Sequence, residues 1–141
     1  MKTVPLLALA TASLLTISTS CSKDQDASPT ADLATGRILY VDQTFDQQLH
    51  NPRPRWVVDL APLSLPGKAD KPYQEAKVFA LGDTAVYRVG QTVQFHYHLV
   101  PYAQQTPWKT RYEYFNMAAT APWTEPRPEI SVTDAQVVAP H

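Results

Sequence analysis

The clearest pattern in the chain runs from Thr92 to Val100. Val93, Phe95, Tyr97 and Leu99 alternate with Gln94, His96 and His98, which puts the apolar set on one face of a half-buried strand and the polar set on the other. Arg55 to Leu60 has the same period of two, with Trp56, Val58 and Leu60 sharing a face. Gly36 to Asp42 predicts a first strand, and Ala76 to Leu81 a short third one. Arg111 to Phe115 predicts a further, aromatic strand. Pro128 to Val138 ends the pattern with Ile130 and Val132 on one face, and its phase slips at Asp134-Ala135, the mark of a bulge. Asn51-Pro52-Arg53-Pro54, Pro66-Gly67-Lys68-Ala69-Asp70 and Gly82-Asp83-Thr84 are turn-forming breaks between these runs. No window sustains a helical period, although Asp83–Arg88 and Asn116–Thr120 each have room for one helical turn. The pattern predicts an all-β domain.

The N-terminus follows a different logic. Lys2 is a short positive start, Val4 to Ala12 and then Leu14-Leu15 form an apolar region, and small residues then lead to Cys21. This is the layout of a secretory signal, and its apolar run is too short for the ~20 residues of a membrane span. Ile17-Ser18-Thr19-Ser20-Cys21 resembles the lipobox of bacterial lipoproteins. Ser18 stands where that family usually has an aliphatic residue, and Ile17 lies one place further back. Relaxed lipoboxes of this form are similar to those of Bacteroidota lipoproteins. Ser22-Lys23-Asp24-Gln25-Asp26 resembles their acidic tag for export to the cell surface. The resemblance implies removal of residues 1–20 and acylation of Cys21, with palmitate-type chains holding the protein to the outer membrane. The domain would then face either the cell surface or the periplasm. Several acyl chains at about 0.8 kcal/mol per buried methylene make a stable anchor.

Composition narrows the rest. The 141 residues leave room for one domain after the signal. Residues 22–35 are polar and lack aromatics, so 21–35 read as a lipidated Cys and flexible tether, and 36–139 as the folded domain. Twelve basic and thirteen acidic residues give a net charge of -1, which argues against a nucleic-acid partner gripped by a positive field. A single Cys excludes an internal disulfide and any multi-cysteine zinc site. Thirteen Pro against four Gly disfavour long helices.

The order of the pieces resembles the OB-fold. A Gly36-led first strand, the step Val89-Gly90-Gln91-Thr92-Val93 into a strong strand, and a last strand of the form Ile130-x-Val132 carry the likeness. It implies a small OB-like barrel of five to six strands, closed or Greek-key paired at its edges. The OB-fold's helix between its third and fourth strands has no counterpart in the pattern. A small β-sandwich is the alternative.

Candidate chemistry is sparse. His96 and His98 lie on one face of a strand, about 7 Å apart, a spacing that suits Zn, Cu or Ni. Gly90 followed after five residues by His96-Tyr97-His98 resembles the start of the cupin metal motif, but no carboxylate follows in residues 99–105. A third ligand would have to come from His50, Asp59 or Glu113, and two polar residues on an outer face are the simpler account. No other cofactor is implied. Trp108 and Trp123 each follow a Pro, on either side of Tyr112 and Tyr114. Such rings form platforms for sugars or bases, or else plug a barrel mouth. Arg53, Arg55 and Arg127 stand next to prolines and suit an acidic sugar, a phosphate or a carboxylate. Asp42, Asp46, Asp59 and Glu113 are the candidates for an acid/base pair. No nucleophile elbow, phosphate loop or zinc-protease motif is present, so the expectation is a non-enzymatic protein. The expected role is binding of a glycan or an envelope partner protein through Trp108, Trp123, Tyr112 and Tyr114. The alternatives are an accessory of an outer-membrane complex and a metal-binding protein using His96 and His98.

Overall fold

The strand predicted from Thr92 is present, with Val93, Phe95 and Tyr97 buried and Leu99 at its exposed end. The structure, a computed structural model, describes residues 31–115 and 125–139. In chain order its elements are β1 (Asp32–Thr44), β2 (Arg53–Asp59), the short β3 (Leu65–Pro66) and β4 (Pro72–Tyr73), β5 (Glu75–Val78), β6 (Thr92–Leu99), α1 (Arg111–Phe115) and β7 (Ile130–Val138). The signal segment, Cys21, Asn116–Thr120 and Trp123 lie outside the described residues.

One sheet has the order β5-β2-β1-β6-β7, all neighbours antiparallel, and β3 and β4 form a small separate hairpin. β1, β2 and β5 follow one another across the sheet, and β6 returns to the far side of β1, which is a Greek-key path. The sheet's two ends then meet. Lys77 of β5 bridges Glu129 in parallel, and its backbone N–H donates to the Pro128 carbonyl at 2.9 Å. The result is a partly open five-stranded barrel of OB-like type rather than a two-sheet sandwich.

β1 makes this path feasible by changing partners midway. Asp32–Arg37 pair with Tyr97–Thr92 of β6, and Arg37–Thr44 pair with Asp59–Arg53 of β2. Gly36 sits at the change. A Cβ there would strike the Val58 side chain and lie 2.9 Å from the Asp59 carbonyl oxygen. A bulge follows between Ile38 and Tyr40. A second bulge lies on β7, where Thr133 and Gln136 face His96 and Gln94, so the phase slip at Asp134-Ala135 is real. Asp134 takes a positive φ of 55° there.

The interior is apolar. Ile38, Trp56, Val58, Val93, Phe95 and Ile130 are all fully buried in one cluster. Each such aliphatic or Phe side chain contributes roughly 1.5–3 kcal/mol relative to exposure. Where the OB resemblance expects a helix, the β5–β6 connection makes a single turn, with the Val86 and Tyr87 N–H groups donating to the Asp83 carbonyl. Tyr87 then plugs this end. Its hydroxyl donates to the Ala135 carbonyl at 2.8 Å, and its carbonyl accepts from the Trp56 indole at 3.1 Å.

Two expectations are corrected. β1 starts at Asp32, inside the stretch read as tether, because its partner for those residues is β6 and local composition carries no trace of that pairing. Arg111–Phe115 is a helical turn and not a strand. The Thr110 hydroxyl accepts from the Glu113 N–H at 3.2 Å while the Glu113 carboxylate accepts from the Thr110 N–H, which is a capping box.

Candidate functional site, a charged layer and its pocket

Alternation on β2 and β5 sends Arg55 and Lys77 to the outside of the barrel, opposite Trp56, Ala76 and Val78. Both are nonetheless buried, at 3% and 5% exposure. The described parts of the connection between β6 and β7 contribute the buried Glu113, Glu125 and Glu129.

Arg55 is the hub. Its Nη1 donates to Glu113 Oε1 at 2.9 Å and Oε2 at 3.3 Å, and its Nη2 to Asp42 Oδ2 at 2.8 Å. Glu125 Oε2 lies 3.9 Å away. Burial works against the Arg55 charge, but Asp42 and Glu113 outweigh it and the pKa is raised. Arg127 joins the layer from the β7 side, donating to Glu75 and, at 3.0 Å, to Glu125. Its guanidinium also stacks over the Tyr40 ring, 5.7 Å from the centroid. Glu129 accepts from the N–H and the hydroxyl of Thr106, both at 2.7 Å. Burial pushes the Lys77 ammonium below its ordinary value of 10.5, against the pull of Glu129 and Glu125.

A cavity of about 190 Å³ opens onto this layer. Buried Arg55, Lys77 and Glu125 form its floor, and Tyr102, Trp108 and Lys109 stand around its mouth. Trp108 is half-buried, and Arg53 braces it with its guanidinium 5.5 Å from the ring centroid. The cavity therefore brings an aromatic side chain close to charged donors and an acceptor.

The other expected residues fall as follows. Tyr112 is 73% exposed on α1 and borders a second, shallower depression with Glu113 and Arg127. Tyr114 instead ties α1 to the end of β1, its hydroxyl donating to the Phe45 carbonyl at 3.0 Å, and burial raises its pKa. His96 and His98 share the outer face of β6, half-buried, with His96 Nδ1 3.6 Å from Asp134 Oδ2. Among the described residues no group of three or more His, Cys, Asp or Glu is placed to hold a metal ion. Asp42 and Glu113 are brought together, but across Arg55, which holds both as ion-pair partners. Asp59 accepts from the Ala61 N–H at 2.9 Å. Asp46 organises the β1–β2 loop, accepting from the N–H groups of Gln48 and His50 and from the Asn51 amide. The His50 N–H bond first, and the others with it, hold its carboxyl below the ordinary value.

Lys77, Glu125, Glu129 and Tyr102 did not stand out in the sequence. Lys77 was legible only as an outward position in a short strand, and the two glutamates as loop charges. Among the described residues no helix is long and apolar enough to cross a membrane. No protein-family model, curated protein or solved structure matches the chain.

Proposed function

We propose that this is a lipid-anchored protein of the outer membrane whose barrel binds a glycan without catalysing a reaction. The anchor is Cys21, and residues 22–31 tether the barrel to the membrane. The observation that supports the binding role most is Trp108, presented over a cavity with buried, charged residues in its floor. Trp56, by comparison, is fully buried in the core and serves the fold. Sugar rings offer an apolar face to an indole and hydroxyls to groups such as Glu125 and Gln105, which also borders the cavity.

The test has two arms. Replacing Cys21 by Ala should move the protein from the detergent phase to the aqueous phase, and retention with the membrane would reject the anchor. In a panel of envelope and plant glycans, one class should perturb Trp fluorescence, and Trp108→Ala should abolish the response. If no glycan binds, the glycan reading fails and co-purification with an envelope protein becomes the next measurement.

A further inference from the structure

We propose that Lys77 is a covalent capture site for a small aldehyde, which it binds as an imine inside the cavity beside Trp108. This site adds a covalent step to the binding role and does not depend on the ligand being a glycan. Three observations carry it. Lys77 is 5% exposed, yet among the described residues its ammonium donates no hydrogen bond and has no carboxylate within 4.0 Å. The neighbouring carboxylates are engaged elsewhere: Asp42 and Glu113 by Arg55, Glu75 and Glu125 by Arg127, and Glu129 by Thr106. The ammonium is also within reach. Among the described residues the side-chain polar atoms closed off without a partner are Arg55 Nε and His96 Nδ1, and the Lys77 nitrogen is not one of them. Lys77 borders the cavity of about 190 Å³, so its remaining surface opens there.

A lysine attacks a carbonyl only as the neutral amine, and desolvation or a second cation nearby makes it give up its proton more readily. Both conditions meet at Lys77. Burial lowers its pKa against the pull of Glu129 and Glu125, Arg55 adds to the lowering, and Lys109 borders the same cavity. The step balances without an oxidant or reductant. The nitrogen lone pair bonds to the carbonyl carbon, the C–O bond breaks, and the oxygen leaves as water with the two hydrogens of the neutral amine. Loss of the ammonium charge leaves the ion pairs of the layer in place, because Lys77 belongs to none of them. The volume sets the size of the ligand. About 190 Å³ is below the about 300–1,000 Å³ of ordinary small-molecule sites, so a small aldehyde fits and a chain of several sugar rings does not.

The experiment treats the full chain with glycolaldehyde and cyanoborohydride near neutral pH, which reduces each imine to a stable amine, and reads the labelled lysines by peptide mapping. Lys77 should be labelled about fivefold or more faster than Lys68 and Lys71, which are exposed. An ordinary buried amine would be labelled last, so equal or slower labelling of Lys77 overturns the inference. The lead should narrow as pH approaches 10.5, where exposed lysines also become neutral. A lead that stays constant with pH has another origin and overturns it as well. A reducing trisaccharide, too large for the cavity, should favour Lys68 and Lys71, and continued preference for Lys77 would show that the cavity is not the site. Lys77→Arg keeps the cation but forms no imine, so the fast phase of labelling should vanish, and its survival rejects Lys77. The mapping uses the native chain and stands even if that variant does not fold. The glycan reading is tested separately, by Trp108→Ala in the glycan panel, so each can fail without the other.

Discussion

The two faces of β2 make opposite kinds of structure. Inward, Trp56 and Val58 join an apolar cluster drawn from all five strands of the barrel sheet. Outward, Arg55 joins a layer of ion pairs whose other members come from β1, β5 and the chain between β6 and β7. Inward contacts are interchangeable in kind, since any apolar side chain of the right volume gains from burial. Outward contacts are specific, since a buried charge without its partner is costly. The difference teaches that the inner face specifies the barrel and the outer one holds what the barrel presents.

The largest expected effect tests the inner face. Phe95→Ala should cost about 3–5 kcal/mol. Denaturant unfolding would measure this, and a loss below 1 kcal/mol would mean that the barrel interior does not depend on this ring.

Next is the outer layer. Arg55→Met leaves Glu113 and Asp42 facing each other without their cation and should cost about 3 kcal/mol. Adding Glu113→Leu to that variant should recover part of the loss, because removing both charges is cheaper than removing one. A double variant worse than the single one would show that the layer acts through packing and not charge.

A smaller effect separates the cover from the layer it covers. Thr110→Ala removes the cap of α1 and should cost about 1 kcal/mol, with the aromatic-region NMR signals of Tyr112 and Tyr114 shifting more than those of Trp56.

The smallest effects are in pH. Lys77 has a lowered pKa in the folded state, so the unfolded chain binds more protons between that value and 10.5. Stability should therefore rise with pH across this window, and the slope should flatten in Lys77→Met. Asp46 gives a slope of the same sign in the acid range. Its folded pKa lies below 3.8, so the stability it contributes is present above 3.8 and lost as pH falls through the folded value. Replacing Asp46 by Asn should remove that part of the acid transition.

The inner face was the more legible of the two. Alternation in Thr92–Leu99 placed Val93, Phe95 and Tyr97 inside, and the slipped phase at Asp134-Ala135 marked a true bulge. These are local signals of period two. The start of β1 was hidden because Asp32 pairs with Tyr97, far along the chain. Arg111–Phe115 misled because aromatic content outweighed the Thr110-x-x-Glu113 capping box, which was written in the sequence all along. Trp108 could be singled out from its Pro-flanked loop. Lys77, Glu125 and Glu129 could not, since their burial comes from contacts between residues far apart in the chain.

The divided pairing of β1 also sets the order in which the molecule can form. Its first half pairs only with β6, so Asp32–Thr35 remain unpaired until Gln94–Tyr97 have been made. β1 is therefore completed late, after a long loop has closed. Such non-local closure places barrels among the slower folders, at milliseconds to seconds. A chain cut short before Thr92 should stall with the first half of β1 unpaired, and the barrel should form in a single cooperative step or not at all.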